Sequence, residues 1–132
     1  MRLFPAATLA LTLGMMTAAS AAPAASIIGT WSGRGTVRLT SGQVEPVSCK
    51  VRYEEGDSAG RTFTLDAKCS ATAGIFELYG RVSKRSVNIY RGSLYGEQST
   101  VSGKITISLS GNNQSVSVSN SQGTGSIKLR RR

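Results

Sequence analysis

From Trp31 onward the chain alternates: apolar or small residues recur at every second position, in short runs separated by clusters of Gly, Ser, Asn and Thr. Trp31, Gly33, Gly35, Val37 and Leu39 share one face of a first run, with Arg34, Thr36 and Arg38 on the other. Val47, Cys49, Val51 and Tyr53 repeat the pattern against Ser48, Lys50 and Arg52. Phe63, Leu65, Ala67 and Cys69 follow, and then Phe76, Leu78, Gly80 and Val82. Val101, Gly103, Ile105, Ile107 and Leu109 form the longest clean run, and the pairs Val116/Val118 and Ile127/Leu129 close the series. Between Val87 and Leu94 the phase is mixed, because Val87 and Ile89 fall opposite Tyr90 and Leu94. A period of two is the pleat of a half-buried strand, and no long run carries the i, i+3, i+4, i+7 spacing of an amphipathic helix.

About eight short strands, punctuated by TSGQ, EEGDSAG, SATAG, SKRS, SGNNQ and SNSQGTG, predict an all-β fold. Their even spacing points to a small antiparallel barrel or barrel-like sandwich and not to βαβ units. Gly33, Gly35, Gly80 and Gly103 sit inside strands on the apolar face, where glycine marks a bend or a close approach of backbones. Such corners curve a small sheet toward closure, so a closed barrel is the expectation. The outward positions are mostly Ser, Thr, Lys and Arg. A barrel that spans an outer membrane needs an apolar outer band and aromatic girdles, so a water-soluble barrel that does not span a membrane is expected.

The first 26 residues, MRLFPAATLALTLGMMTAASAAPAAS, have the anatomy of a secretory signal. Arg2 supplies the charged start, Leu3 to about Met16 the apolar stretch, and Ala19-Ser20-Ala21 the small-x-small cleavage site. The apolar stretch is shorter than the roughly 20 residues a membrane-spanning helix needs. Residues 1–21 are therefore read as a signal peptide and residues 22–132 as a single β domain, with a periplasmic or secreted location in a bacterium. Removing 21 of the 132 residues leaves 111, and losing Arg2 leaves 15 basic against 7 acidic side chains, a net charge of +8. Such an excess favours anionic partners such as lipopolysaccharide, phospholipid or acidic glycan, without defining a site.

Cys49 and Cys69 are the only cysteines. They have no CxxC spacing, and the chain has no histidine, so neither a zinc site nor a thioredoxin-like centre can be assembled from them. In an exported chain an even cysteine count reads as a structural disulfide. Its register is open. A tight hairpin about Asp57 would set Cys49 opposite Leu65 and leave Cys69 roughly 13 Å away, too far for a bond that needs Cα atoms within about 7 Å. A longer loop would set Tyr53 opposite Leu65 and Cys49 opposite Cys69. Otherwise the two strands are not simple neighbours.

The absence of histidine also removes the commonest general base. Ser102-Gly103-Lys104 lacks the glycine and hydroxyl positions of a phosphate-binding loop, with Gln98 and Ile105 in their places. Glu54, Glu55 and Asp57 read as a solvated hairpin tip, not a Ca²⁺ loop. No catalytic motif, cofactor or metal site emerges, and a non-enzymatic protein is expected. Two basic groupings remain as candidate anion-binding residues. Arg81, Lys84, Arg85 and Arg91 surround one connection, with Tyr79, Tyr90 and Tyr95 nearby, and Arg130, Arg131 and Arg132 form the tail. For an exported protein an anionic envelope component or a protein is a more fitting partner than nucleic acid.

The succession GTWSGRGTVRLTSGQ, SCKVRY, a second cysteine and a Gly/Ser-rich tail resembles small exported proteobacterial proteins of uncharacterised function. Gly29, Trp31, Cys49 and Cys69 are also similar in order and spacing to periplasmic metalloprotease inhibitors of the alkaline-proteinase-inhibitor type. That resemblance implies an eight-stranded barrel with one disulfide. It also implies an inhibitory N-terminal segment, here Ala22, Pro23, Ala24, Ala25 and Ser26; that family's second tryptophan has no counterpart in this chain. The expectation is an exported binding or accessory module. An open apolar interior would point to a carrier, and a filled one to binding on the surface.

Overall fold

The structure is a computed structural model that describes Gly14 and residues 26–96 and 102–132. The remaining signal-like residues, Ala22, Pro23, Ala24, Ala25 and Val101 lie outside the described residues. Eight strands follow one another: β1 (Gly29–Leu39), β2 (Val44–Glu55), β3 (Thr62–Ala71), β4 (Gly74–Lys84), β5 (Ile89–Gly96), β6 (Ser102–Ser110), β7 (Asn113–Asn120) and β8 (Gly123–Arg131). Each pairs antiparallel with the next, and β8 returns to β1, closing an up-and-down barrel. Closure satisfies every edge, which suits strands whose outer faces carry so much Ser and Thr.

Alternation sets the interior. Val47, Cys49, Val51 and Tyr53 on β2 point inward and are buried, as are Phe63, Leu65, Ala67 and Cys69 on β3 and Ile105, Ile107 and Leu109 on β6. The mixed stretch resolves once β5 begins at Ile89. Tyr90 and Leu94 then face the core, while Val87 lies in the preceding turn, 64% exposed.

The barrel turns two tight corners on opposite walls, where β1 meets β8 and where β4 meets β5. A Cβ on Gly33 would overlap the backbone carbonyl of Lys128, and one on Gly92 the carbonyl of Arg81. Glycine is required there because the neighbouring backbone occupies the side-chain position. Gly103 is different: a Cβ would stand 3.2 Å from the Ser119 carbonyl, so β6 and β7 leave nearly enough room for one.

Cys49 and Cys69 are bonded, with Cα atoms 4.1 Å apart. The register follows the longer-loop alternative, with Cys49 opposite Cys69 and Tyr53 opposite Leu65 across a loop of residues 56–61. The Gly56 amide donates to the Thr62 carbonyl at 2.8 Å, which makes that rung a hydrogen-bonded one. Counting alternately from it puts the cysteines on a non-hydrogen-bonded rung, where facing side chains approach most closely. Asp57 shapes the loop by accepting the Arg61 amide at 3.1 Å, and this bond holds its carboxyl below the usual aspartate range. Disulfides of this kind form and persist in oxidising compartments. No helix among the described residues is long and apolar enough to cross a membrane.

Candidate functional site

The two ends of the barrel differ, and side-chain size explains how. One end collects the bulk: Trp31, Tyr53, Phe63, Val82, Tyr90, Leu109, Gln114 and Leu129 all point inward there and are buried. Phe63 and Tyr90 meet edge to face with ring centroids 5.6 Å apart. The segment before β1 crosses this end and closes it. Ile27 is fully buried, and its carbonyl accepts the Trp31 indole N–H at 2.9 Å. The Arg131 guanidinium lies 4.4 Å from the Trp31 ring centroid and donates to the carbonyls of Ile28, at 2.9 Å, and of Ser26. One arginine therefore fastens the entering chain across the floor while covering the indole face, a cation–π arrangement.

The floor contains one polar pair. The Tyr53 hydroxyl donates to Gln114 Oε1 at 2.5 Å, and Gln114 Nε2 is buried with no hydrogen-bond partner among the described residues. Burial pushes the Tyr53 phenol well above its ordinary value, and that of Tyr90 upward as well, since the charged form would be stripped of water.

Toward the other end the inward residues are smaller on several strands, with Ala67 on β3, Val118 on β7 and Gly125 on β8. Beneath that taper lies a void of about 90 Å³, walled by Val51, Leu65, Ile105, Val116 and Ile127, with the Tyr53 side chain also on its wall. Every wall residue is apolar apart from that phenol. Above it the barrel opens into a mouth of about 260 Å³. Val37, Phe76, Leu78, Leu94 and Val118 line both spaces, so the void sits directly under the mouth. Tyr95, Ser119, Asn120, Gln122 and Thr124 rim the opening. Asn120 shapes part of that rim by accepting the amides of Gln122 at 2.8 Å and Gly123 at 3.1 Å. Of the large apolar side chains exposed among the described residues, Val44, Ile75, Phe76 and Tyr95 all cluster near this end.

The sequence-derived candidates are distributed differently. Arg81 and Arg91 stand exposed on the outer face of β4 and β5, with Lys84 and Arg85 at the turn between them. Arg130, Arg131 and Arg132 are on the opposite wall, so the two basic groupings do not form one patch. Arg131 is committed to the floor, and Arg132 Nε donates to Ser32 Oγ at 3.0 Å. Tyr79 and Tyr95 pair on the outer face with centroids 6.1 Å apart, while Tyr90 is internal. Of the N-terminal segment, Ser26 is described and is anchored through its carbonyl. Sequence reasoning missed Arg131 as a floor residue and Gln114 as a buried amide. Strand phase was the available signal, since Arg131 continues the inward series Ile127, Leu129, and Gln114 precedes Val116, Val118.

No protein-family model matches the chain, and no curated protein matches it. Solved structures do. A redesigned β-barrel, mFAP1, bound to DFHBI is 14% identical over 79% of this chain and 94% of its own, with a TM-score of 0.65. A de novo designed fluorescence-activating β-barrel is 20% identical over 83% and 96%, at 0.64. EF1p2_mFAP2b bound to DFHBI is 11% identical over 80% and 93%, at 0.68. At these identities the likeness concerns the fold alone, a β-barrel.

Proposed function

We propose that this protein is an exported, non-catalytic binding barrel of the bacterial envelope, periplasmic or secreted, that takes a small apolar ligand through its open end. The observation that carries the reading is the apolar void lying directly beneath an apolar mouth, at the end opposite the sealed floor. An eight-stranded barrel has an interior just wide enough to be filled by side chains or to hold one small ligand. Here the filling stops halfway. Ligand sites commonly run from roughly 300 Å³ upward, so a mouth of about 260 Å³ suits a molecule of one or two rings or a short branched chain. The rim supplies a few polar groups for orientation. The two similar structures bound to DFHBI support the compatibility of such a fold with a bound guest.

A titration with N-phenyl-1-naphthylamine, a neutral fluorescent probe, tests this. Saturable binding at one site per chain, abolished in Val118→Trp, is the expected result. Undiminished binding in that variant, or no saturable binding, refutes it.

A second reading, inhibition of a hydrolase by the segment from Ala22 to Ser26, is favoured by the way Arg131 and Trp31 anchor the chain at Ser26 and Ile27. Deleting residues 22–26 should then abolish inhibition of a metalloprotease while the barrel stays folded, and unchanged inhibition would rule the mechanism out. Binding of an anionic glycan through Arg81, Lys84, Arg85 and Arg91 has less support, because the tail arginines stand on the opposite wall.

A further inference from the structure

A second surface, independent of the barrel interior, lies on the outer face of β1, β2 and β3. The disulfide register dictates it: with Cys49 opposite Cys69, Lys50 must face Lys68, and Ser48 must face Ser70. The pairing of β1 with β2 adds Ser32 beside Lys50 and Arg34 beside Ser48. The result is a shallow groove of about 500 Å³ with a floor of serines and a rim of Arg34, Lys50, Lys68 and Arg132. Arg132 is held over it by its bond to Ser32 Oγ.

No cation of this groove is in an ion pair among the described residues. No carboxylate lines it, and the one ion pair among the described residues, Arg52 with Glu54 at 3.0 Å, is elsewhere. Glu77 is the cross-strand neighbour of Lys68, and its Oε2 accepts the Tyr79 hydroxyl at 3.1 Å. Like charges directly opposite one another on adjacent strands destabilise a sheet. Lys50 and Lys68 form such a pair, with Arg34 and Arg132 adding to the same field. An anion seated on the serine floor would relieve this repulsion, and the floor hydroxyls could donate to its oxygens.

We infer that this groove binds a phosphate ester. Several cations converge on one small trough with no acid among them, which favours a compact, multiply charged oxyanion over a single carboxylate. Arginine forks and lysine point charges are both established partners of phosphate oxygens. The group could be carried on a soluble molecule or on a lipid headgroup, and the shared chemistry is the phosphate itself.

The test is an NMR titration of the full chain with glycerol 3-phosphate at ionic strength held constant with chloride, followed by flotation with phosphatidylglycerol and phosphatidylcholine vesicles. Saturable shifts should cluster at Ser48, Lys50, Lys68 and Ser70. Lys50→Glu/Lys68→Glu should raise Kd at least about tenfold, given the usual scale of exposed charge pairs. Arg81→Glu/Arg91→Glu, which changes net charge equally on another wall, should leave it within about twofold. Lys50→Gln/Lys68→Gln serves as the milder variant if the reversal unfolds, with a loss of about threefold. Vesicle binding that follows the same order of variants identifies a lipid headgroup, and binding of glycerol 3-phosphate alone identifies a soluble ester. Equal losses in the groove and control variants, or no saturable shift, overturn the inference.

Discussion

Arg131 is the residue whose removal should expose the logic of the closed end. Its guanidinium covers the Trp31 ring and holds the carbonyls of Ser26 and Ile28, and Ile27 between them is fully buried. Arg131→Ala deletes a partly desolvated cation–π contact, worth about 1 kcal/mol. It also deletes two solvent-exposed hydrogen bonds at the closed end, worth about 0.5–1 kcal/mol each at that exposure. The sum is about 2–3 kcal/mol. For a folded unit of this size the entropy of unfolding is about 0.2 kcal/mol per degree, so Tm should fall by about 10 °C. The assay has a built-in reporter, because Trp31 is the sole tryptophan. Its emission should shift to the red in Arg131→Ala as Ile27 lifts away and water reaches the indole. Arg131→Lys keeps the charge and loses the planar fork, so it should recover less than half of the loss. Wild-type Tm and emission in Arg131→Ala, or full recovery by lysine, would refute the account of the floor.

Other consequences can be checked with the same melts. Replacing both cysteines with alanine should cost about 3 kcal/mol in the chain-entropy model for a loop of this length, and an unchanged denaturation midpoint would show that the bond constrains nothing. Gly33→Val should destabilise by about 3 kcal/mol or more, because its side chain meets Lys128 backbone; Gly103→Ala should cost less than about 1 kcal/mol, and equal effects would contradict the corner assignment. Tyr53 is held protonated by burial above its ordinary value of 10.0, so its contribution to stability is whole below that pH and declines as pH rises past it. Tyr53→Phe should flatten that alkaline decline, whereas a decline as steep as wild type would assign it to other groups.

Much of this architecture was legible because a period of two survives in nearly every strand. Trp31, Tyr53, Leu65, Ile107 and Leu129 could be placed inside from alternation alone, and all are buried. The stretch around Val87 was harder to phase, since nothing local shows that the strand starts only at Ile89. Gly92 is not marked by its local sequence because a corner is a relation between two strands, and the Arg81 carbonyl that a side chain there would strike lies 11 residues away. The disulfide register was narrowed to a few options by reach alone, and the structure takes the longer loop. That same register puts Lys50 against Lys68, so the cationic groove was implicit in the cysteines. Arg131 was hidden by its company: in a run of three arginines only strand phase separates the inward one. The mouth was least legible, because it depends on where bulky residues stop around the whole circumference.

The most direct test of the central claim is methyl NMR of the full chain during titration with a neutral aromatic compound the size of naphthalene. The account predicts saturable shifts at Leu78, Leu94, Val118 and Val116, which line the mouth and the void, with Leu109 at the floor unmoved. Shifts centred on Leu109 and Ile27, or none at saturation, would contradict it.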